Sequence, residues 1–290
     1  MQSMSLIVNL YAGRGRMFPS MLPELQKRLT KRYREIRVFY SQQKGDVTLL
    51  ARKIAKTTDV VVACGGDGTV NEVLNGIMDT RVVFGLLPFG TTNVFAHELG
   101  IGHDVQKACQ ALFQKQIRRI DVGCANGRFF ILWCGVGLDA YVIQRVQPWL
   151  KRMFGPIAFD ITILRKIFFL KAQKLRIVLD DRAPMSGCFV VVTNTKLYGG
   201  RLVAPDAQLD DGLFNVLIVR KGDMFSLFRN YLGVSRKSHP RFVNVENFPA
   251  RHVRIEAVTH ALAQVDGEIM GPAPVDISIR SKVLPVLVSE

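Results

Sequence analysis

The stretch at residues 60–77, VVVACGGDGTVNEVLNGI, constrains the fold more than any other part of the chain. Four apolar residues, Val60, Val61, Val62 and Ala63, follow polar Asp59 and run toward glycine, the pattern of a strand buried on both faces of a parallel sheet. Gly65, Gly66, Asp67, Gly68 and Thr69 then force a tight turn, where positive φ costs glycine little. Beyond the turn, Val70, Val73, Leu74 and Ile77 share one face of a helix. A helix N-terminus behind a glycine loop favours an anion, so the stretch reads as a phosphate cradle with one carboxylate, Asp67, placed inside it. That carboxylate has a use if the site also holds Mg²⁺ or a cationic side chain; the alternative is that Asp67 only caps the helix. Neither GxxxxGK[ST] nor GxGxxG occurs.

The segments around this stretch keep the same rhythm. Residues 5–9 read as a strand feeding Gly13, Arg14, Gly15 and Arg16, which is either a phosphate-contacting loop or a basic turn. A helix is expected at about 19–33, a strand at 37–40 ending at Ser41, a helix at 46–55, a strand at 82–87 ending at PFGTTN, and a helix at 105–114. Strands alternating with helices at this spacing imply a parallel sheet with crossover helices. Ligands of such sheets sit beyond the carboxyl ends of the strands. The loops at Gly13, Ser41, Gly66 and Thr91 all fall on that edge. A strand at 117–122 carries Asp121 between the two halves; with Arg118 and Arg119 beside it, a surface ion pair is one reading.

From residue 129 the pattern becomes β-rich. Short apolar runs at 129–136, 175–179, 189–193, 213–219, 253–255, 275–279 and 283–288 suggest an antiparallel sandwich. Asp266-Gly267 between apolar runs is a hairpin signal. Residues 141–174 mix aromatic and aliphatic side chains with seven cations and one acid, which suits either an interface with anionic lipid or a helical pair with a solvated basic face.

The net charge of +15 over 290 residues implies an anionic partner such as a nucleotide or an acidic membrane surface. No block of like charge stands out, which argues against nucleic acid. Five cysteines, an odd number without CxxC, argue against a disulfide framework and fit a reducing cytoplasm. The first apolar run is too short for a signal peptide, and no run approaches the roughly 20 residues of a spanning helix, so a cytoplasmic, membrane-peripheral protein is expected.

GGDGTVNEVLNG resembles the first motif of the diacylglycerol kinase catalytic-domain family, which includes bacterial lipid kinases and sphingosine kinases. PFGTTN at 88–93 is similar to the second motif, the Tyr198-Gly199-Gly200, Ala204-Pro205 and Leu209-Asp210-Asp211-Gly212 run to the third, and Asp266-Gly267-Glu268 to the fourth. The resemblance implies an α/β N-terminal domain like those of phosphofructokinase and NAD kinase, at 1–123, and an antiparallel β-sandwich at 124–282, with 283–290 returning to the first domain. It implies that ATP is held by Asn9, Gly13, Ser41 and Thr91, and by Gly65, Gly66, Asp67, Gly68, Thr69, Val70, Asn71 and Glu72. It further implies a structural Mg²⁺ on Asp211 with nearby carbonyls around Gln208 and Leu213.

Phosphoryl transfer also needs a proton acceptor for the attacking alcohol. Glu268 is expected in that role with Asp266 as neighbour or alternate, two carboxylates close enough in sequence to couple their titrations, while Asp67 helps order Mg²⁺. The chain departs from the family at three points: Leu10 stands where proline is usual, Val94 where an active-site aspartate is usual, and His97 where arginine is usual. The expected function is an ATP-dependent lipid kinase with diacylglycerol as default substrate. The alternatives are a kinase for a sphingoid base or another alcohol, and a non-catalytic nucleotide or lipid sensor. The assembly is left open, a homodimer included.

Overall fold

The computed structural model describes residues 2–43, 45–114, 116–137, 140–141, 143, 174–220, 245–258 and 261–289. They form two compact units, Met1–Ile120 with Lys282–Glu290, and Asp121–Ser281.

The first unit alternates strand and helix: β1 (Gln2–Val8), α1 (Phe18–Leu29), β2 (Tyr33–Tyr40), α2 (Asp46–Ile54), β3 (Val60–Gly65), α3 (Asp67–Ile77), β4 (Val83–Pro88), α4 (Val94–Glu98) and α5 (Val105–Gln114). The strands run parallel in the order β2-β1-β3-β4. All six residues of β3 are buried, which is why its sequence shows no alternation. α2 and α3 pack through Gly76, where a Cβ would come within 2.5 Å of both Ala51 Cβ and Thr48 O.

The chain then continues as β5 (Gln116–Ala125), β6 (Arg128–Phe130), β7 (Trp133–Val136), β8 (Leu175–Leu179), β9 (Met185–Gly187), β10 (Phe189–Thr193), β11 (Leu197–Tyr198), β12 (Arg201–Leu202), β13 (Phe214–Val219), β14 (Val245–Ala250), β15 (His252–Ala257), β16 (Leu262–Val265), β17 (Glu268–Pro272) and β18 (Val275–Val288). In the second unit, antiparallel pairing joins β14-β13-β10-β7-β16-β17 into one sheet. β15 pairs with β18 and β8, and β8 with β9, in another. Val136, Val192 and Ile218 from the first sheet meet Ile177, Val253 and Ile277 from the second in one apolar core. This is a β-sandwich, whose core is made by the inward side chains of its two sheets.

Two boundaries differ from the sequence reading. The run at 129–136 is two strands, because the chain turns at Ile131 and Leu132 to give their N–H groups to a side chain. The last two runs are one strand, β18, whose Val275–Ser278 segment pairs with β15 in the second unit while Val286 pairs in parallel with Phe84 of β4 in the first. No helix among the described residues is long and apolar enough to cross a membrane. Residues 144–173, most of the basic aromatic stretch, lie outside the described residues.

Candidate functional site

In the first unit, three loops at the carboxyl ends of β1, β3 and β4 are pressed together backbone to backbone. Gly13, at φ +46°, would place a Cβ 2.5 Å from Phe89 O, and Gly66 would place one 3.0 Å from Gly90 Cα. The Arg14 N–H donates to Phe89 O at 2.7 Å, and Phe89 and Gly90 both donate to Gly65 O. Asn9 Nδ2 donates to Thr69 Oγ1 at 3.2 Å. Positive φ does not explain the glycines at 65–68, as the sequence suggested. Gly66 is extended, at φ −100° and ψ −172°, and none of Gly65, Gly66 and Gly68 has positive φ. What glycine provides there is close approach, plus open space over Gly68, where a Cβ would meet nothing within 4 Å.

α3 starts at this junction. Its N-cap, Gly66, brings no side chain to cap the helix, which leaves the start of α3 open toward the loop. Val70 gives its N–H to Gly66 O and buries its side chain, and Asn71 is buried as well. Glu72 is half-buried and its carbonyl accepts from Thr48 Oγ1. Ser41 Oγ donates to Asp46 Oδ1 at 2.8 Å; Thr91 is exposed on its loop.

Asp67 reaches past its own helix. It accepts the N–H groups of Val94 and Phe95, each at 3.1 Å, and so caps the first turn of α4. Burial raises its pKa above the ordinary carboxylate value; the Val94 and Phe95 N–H groups and the charge of His97 act against that rise. The substitution at Val94 thus removes a carboxylate but keeps a backbone donor, and the Val94 side chain is buried in the core. His97 is exposed on α4, edge-on to His103 with ring centroids 4.9 Å apart.

In the second unit, β16 and β17 form the hairpin that Asp266-Gly267 signals, with Val265 opposite Glu268. Asp266 and Gly267 have φ +48° and +85°, as the two central residues of a type I′ turn require. Asp266, only 8% exposed, accepts the N–H groups of Ile131, Leu132 and Trp133 at 3.2, 3.0 and 3.0 Å. Glu268 instead pairs with Arg128 at 2.7 Å. The two carboxylates thus have different donors. Asp121 is no surface ion pair: it is fully buried, accepts the Gly212 N–H at 2.6 Å and donates its own N–H to Leu209 O. It therefore ties down the loop that carries Asp211, whose Oδ1 accepts the Leu213 N–H at 2.9 Å, while Gln208 is exposed. Among the described residues, no group of three His, Cys, Asp or Glu side chains converges as metal ligands. A hard cation on this loop would be held by the Asp211 carboxylate with main-chain oxygens, a set the residues do offer.

The sequence missed His103 and Arg128, and read Asn93 only as the end of the PFGTTN motif. Arg128 sits 140 residues from its partner, a distance no local pattern spans.

A glycine-loop α/β unit followed by an antiparallel sandwich is the two-domain plan of the lipid kinases, and the chain matches them in sequence along both parts. Residues 3–125 match the family described as the diacylglycerol kinase catalytic domain, and residues 133–288 match the YegS C-terminal NAD kinase beta sandwich-like domain. A protein named diacylglycerol kinase from Staphylococcus saprophyticus is 31% identical over 274 residues, covering 93% of this chain and 90% of its own length. One of the same name from Staphylococcus aureus is 32% identical over 275 residues, covering 93% and 87%. Two crystal structures from Bacillus anthracis share the fold. One, of a diacylglycerol kinase, has a TM-score of 0.77 at 21% identity, covering 99% of this chain and 97% of that one. The other reaches 0.86 at 23% identity, covering 99% and 95%. The chain belongs to the diacylglycerol kinase catalytic domain family, and is an enzyme of the lipid-kinase class.

Proposed function

We propose that the protein transfers the γ-phosphoryl group of ATP to the hydroxyl of a membrane lipid, with diacylglycerol as the substrate that the names of its relatives favour. The observation that carries this reading is the uncapped start of α3 between three glycine loops pressed together at one sheet edge. Main-chain N–H groups there suit phosphate oxygens, and Asn9 on Thr69 steadies the first turn. Asp67 holds α4 against the cradle, fixing the PFGTTN loop. Mg²⁺, when bound with the nucleotide, supplies charge neutralisation of the phosphates. In the second unit, Glu268 accepts the proton of the lipid hydroxyl, and Arg128 sets the direction of its carboxylate. Asp266 shapes the hairpin that carries it. Asp211, with the carbonyls of Gln208 and Leu213, would hold a second Mg²⁺ that stiffens its loop.

The net charge of +15 supports work at an anionic surface, and vesicle binding should weaken as ionic strength rises from about 0.1 M to about 0.5 M. The deciding experiment incubates the protein with labelled ATP, Mg²⁺ and anionic vesicles carrying diacylglycerol, a sphingoid base or neither, beside a soluble alcohol. Label in diacylglycerol is expected. Label in another acceptor would move the substrate assignment, and ATP binding without transfer to any acceptor would favour a sensor.

A further inference from the structure

Asn93 is the last residue of PFGTTN and the N-cap of α4, at φ +48°. It is 2% exposed, and its Oδ1 is buried without a hydrogen bond. The side chain is therefore fixed through Nδ2 alone, which reaches two atoms, Gly90 O at 2.9 Å and His103 Nδ1 at 2.9 Å. The carbonyl settles the chemistry. Gly90 O can only accept, so the atom facing it must be the NH₂ group, and the same NH₂ then donates its second proton to the imidazole. His103 Nδ1 must be the bare nitrogen, with the ring proton on Nε2. A protonated ring would set N–H against N–H and break the bond.

His103 also anchors a second loop, since Arg14 Nη2 donates to its carbonyl at 3.2 Å. One residue of the α4–α5 connection thus touches both the β1 and the β4 loops of the cradle. We propose that His103 is a positioning residue of the phosphate site, holding Asn93 and with it the Gly90–Asn93 loop in place only while its imidazole is neutral. Nothing in the family motifs read above includes this position. The inference rests on the reading that these loops hold ATP, but its first test does not.

The charged groups around the ring are Arg14 from the β1 loop, Asp67 from the start of α3, His97 from α4 and Asp104 next to it in sequence. Burial lowers the His103 pKa below its ordinary 6.5, and His97 and Arg14 lower it further, against an opposing effect of Asp67. The acid transition of the loop therefore lies below pH 6.5.

The test compares wild type with His103→Ala, which has no acceptor, and His103→Asn, whose Oδ1 lies near the place of Nδ1 and accepts at every pH. His103 is exposed, so all three should fold. Amide hydrogen exchange over residues 89–93, without nucleotide and corrected for intrinsic rates, should show protection in wild type at neutral pH that is lost on acidification. His103→Asn should stay protected at both, and His103→Ala should be unprotected at both. Asp67 titrates in all three, so the difference between wild type and His103→Asn isolates the imidazole. With ATP, His103→Ala should raise KM about three- to tenfold, as for one lost hydrogen bond, with kcat little changed, and His103→Asn should restore it. Equal protection in His103→Ala and wild type, or an acid transition unchanged in His103→Asn, would overturn the inference. If the exchange results hold but wild type binds no ATP, the nucleotide reading fails and the positioning role stands.

Discussion

Asp67 shows how one side chain can serve two ends. Its sequence position, between glycines at the start of a helix, suggests a carboxylate for a metal or a cap for that helix. Its contacts lie across the sheet edge, on the first N–H groups of α4. Asp67→Ala would strand two buried donors at a cost of about 1–3 kcal/mol for each. Asp67→Asn keeps one acceptor and turns an NH₂ group on the other N–H, so it should lower stability less and still abolish transfer. The pH dependence has a definite sign. Burial gives Asp67 a folded pKa above its ordinary 3.8, so the folded state binds the proton more tightly than the unfolded chain does. The stability of wild type relative to Asp67→Asn should therefore be greatest below pH 3.8, fall as pH rises through the folded pKa, and be flat above it. Urea unfolding across that range measures it; a rise with pH would mean that the backbone donors outweigh burial.

At the scale of the element, the β16–β17 hairpin divides labour between its two acids. Asp266→Ala removes the acceptor for three N–H groups and should destabilise by about 3 kcal/mol or more, since each lost bond is worth about 1 kcal/mol and the buried donors add their own cost. Glu268→Gln weakens a partly exposed ion pair, worth about 0–1 kcal/mol, and should nearly keep the thermal midpoint while ending transfer. Activity surviving in Glu268→Gln would take the proton acceptor elsewhere. This division also marks how far the sequence could be read. The hairpin was legible because Asp-Gly between apolar runs is a local signal. The target of its carboxylate was not, because Ile131 is 135 residues away and its N–H group carries no side-chain mark. The glycine loop was legible as a tight strand-to-helix turn for the same local reason. The cause of its glycines was misread, because the atoms that exclude a Cβ at Gly66 belong to Gly90 on another loop.

Across the whole molecule, the order of residues and the division into units disagree at one end. The chain leaves the first unit after Ile120 and re-enters it at Lys282. The returning segment pairs Val286 with Phe84 of β4 and buries Leu284, Val286 and Leu287 at 3, 0 and 2% exposure. Such alternating apolar runs look alike in the sequence whichever sheet they join, so only the family resemblance, and no local pattern, suggested the return. Three buried aliphatic side chains stabilise by about 1.5–3 kcal/mol each, together comparable with the about 5–15 kcal/mol that separates a folded domain from its unfolded chain. A chain ending at residue 281 should consequently lose the first unit and keep the second. Hydrogen exchange should show protection vanishing from β3, β4 and α3 while it persists in β10 and β13, and ATP binding should disappear with it. Adding residues 282–290 back as a peptide should restore both in proportion to its concentration, because pairing to β4 then has to be bought by association. Undiminished protection of β4 in the truncated chain would mean that the parallel sheet is complete without its last strand.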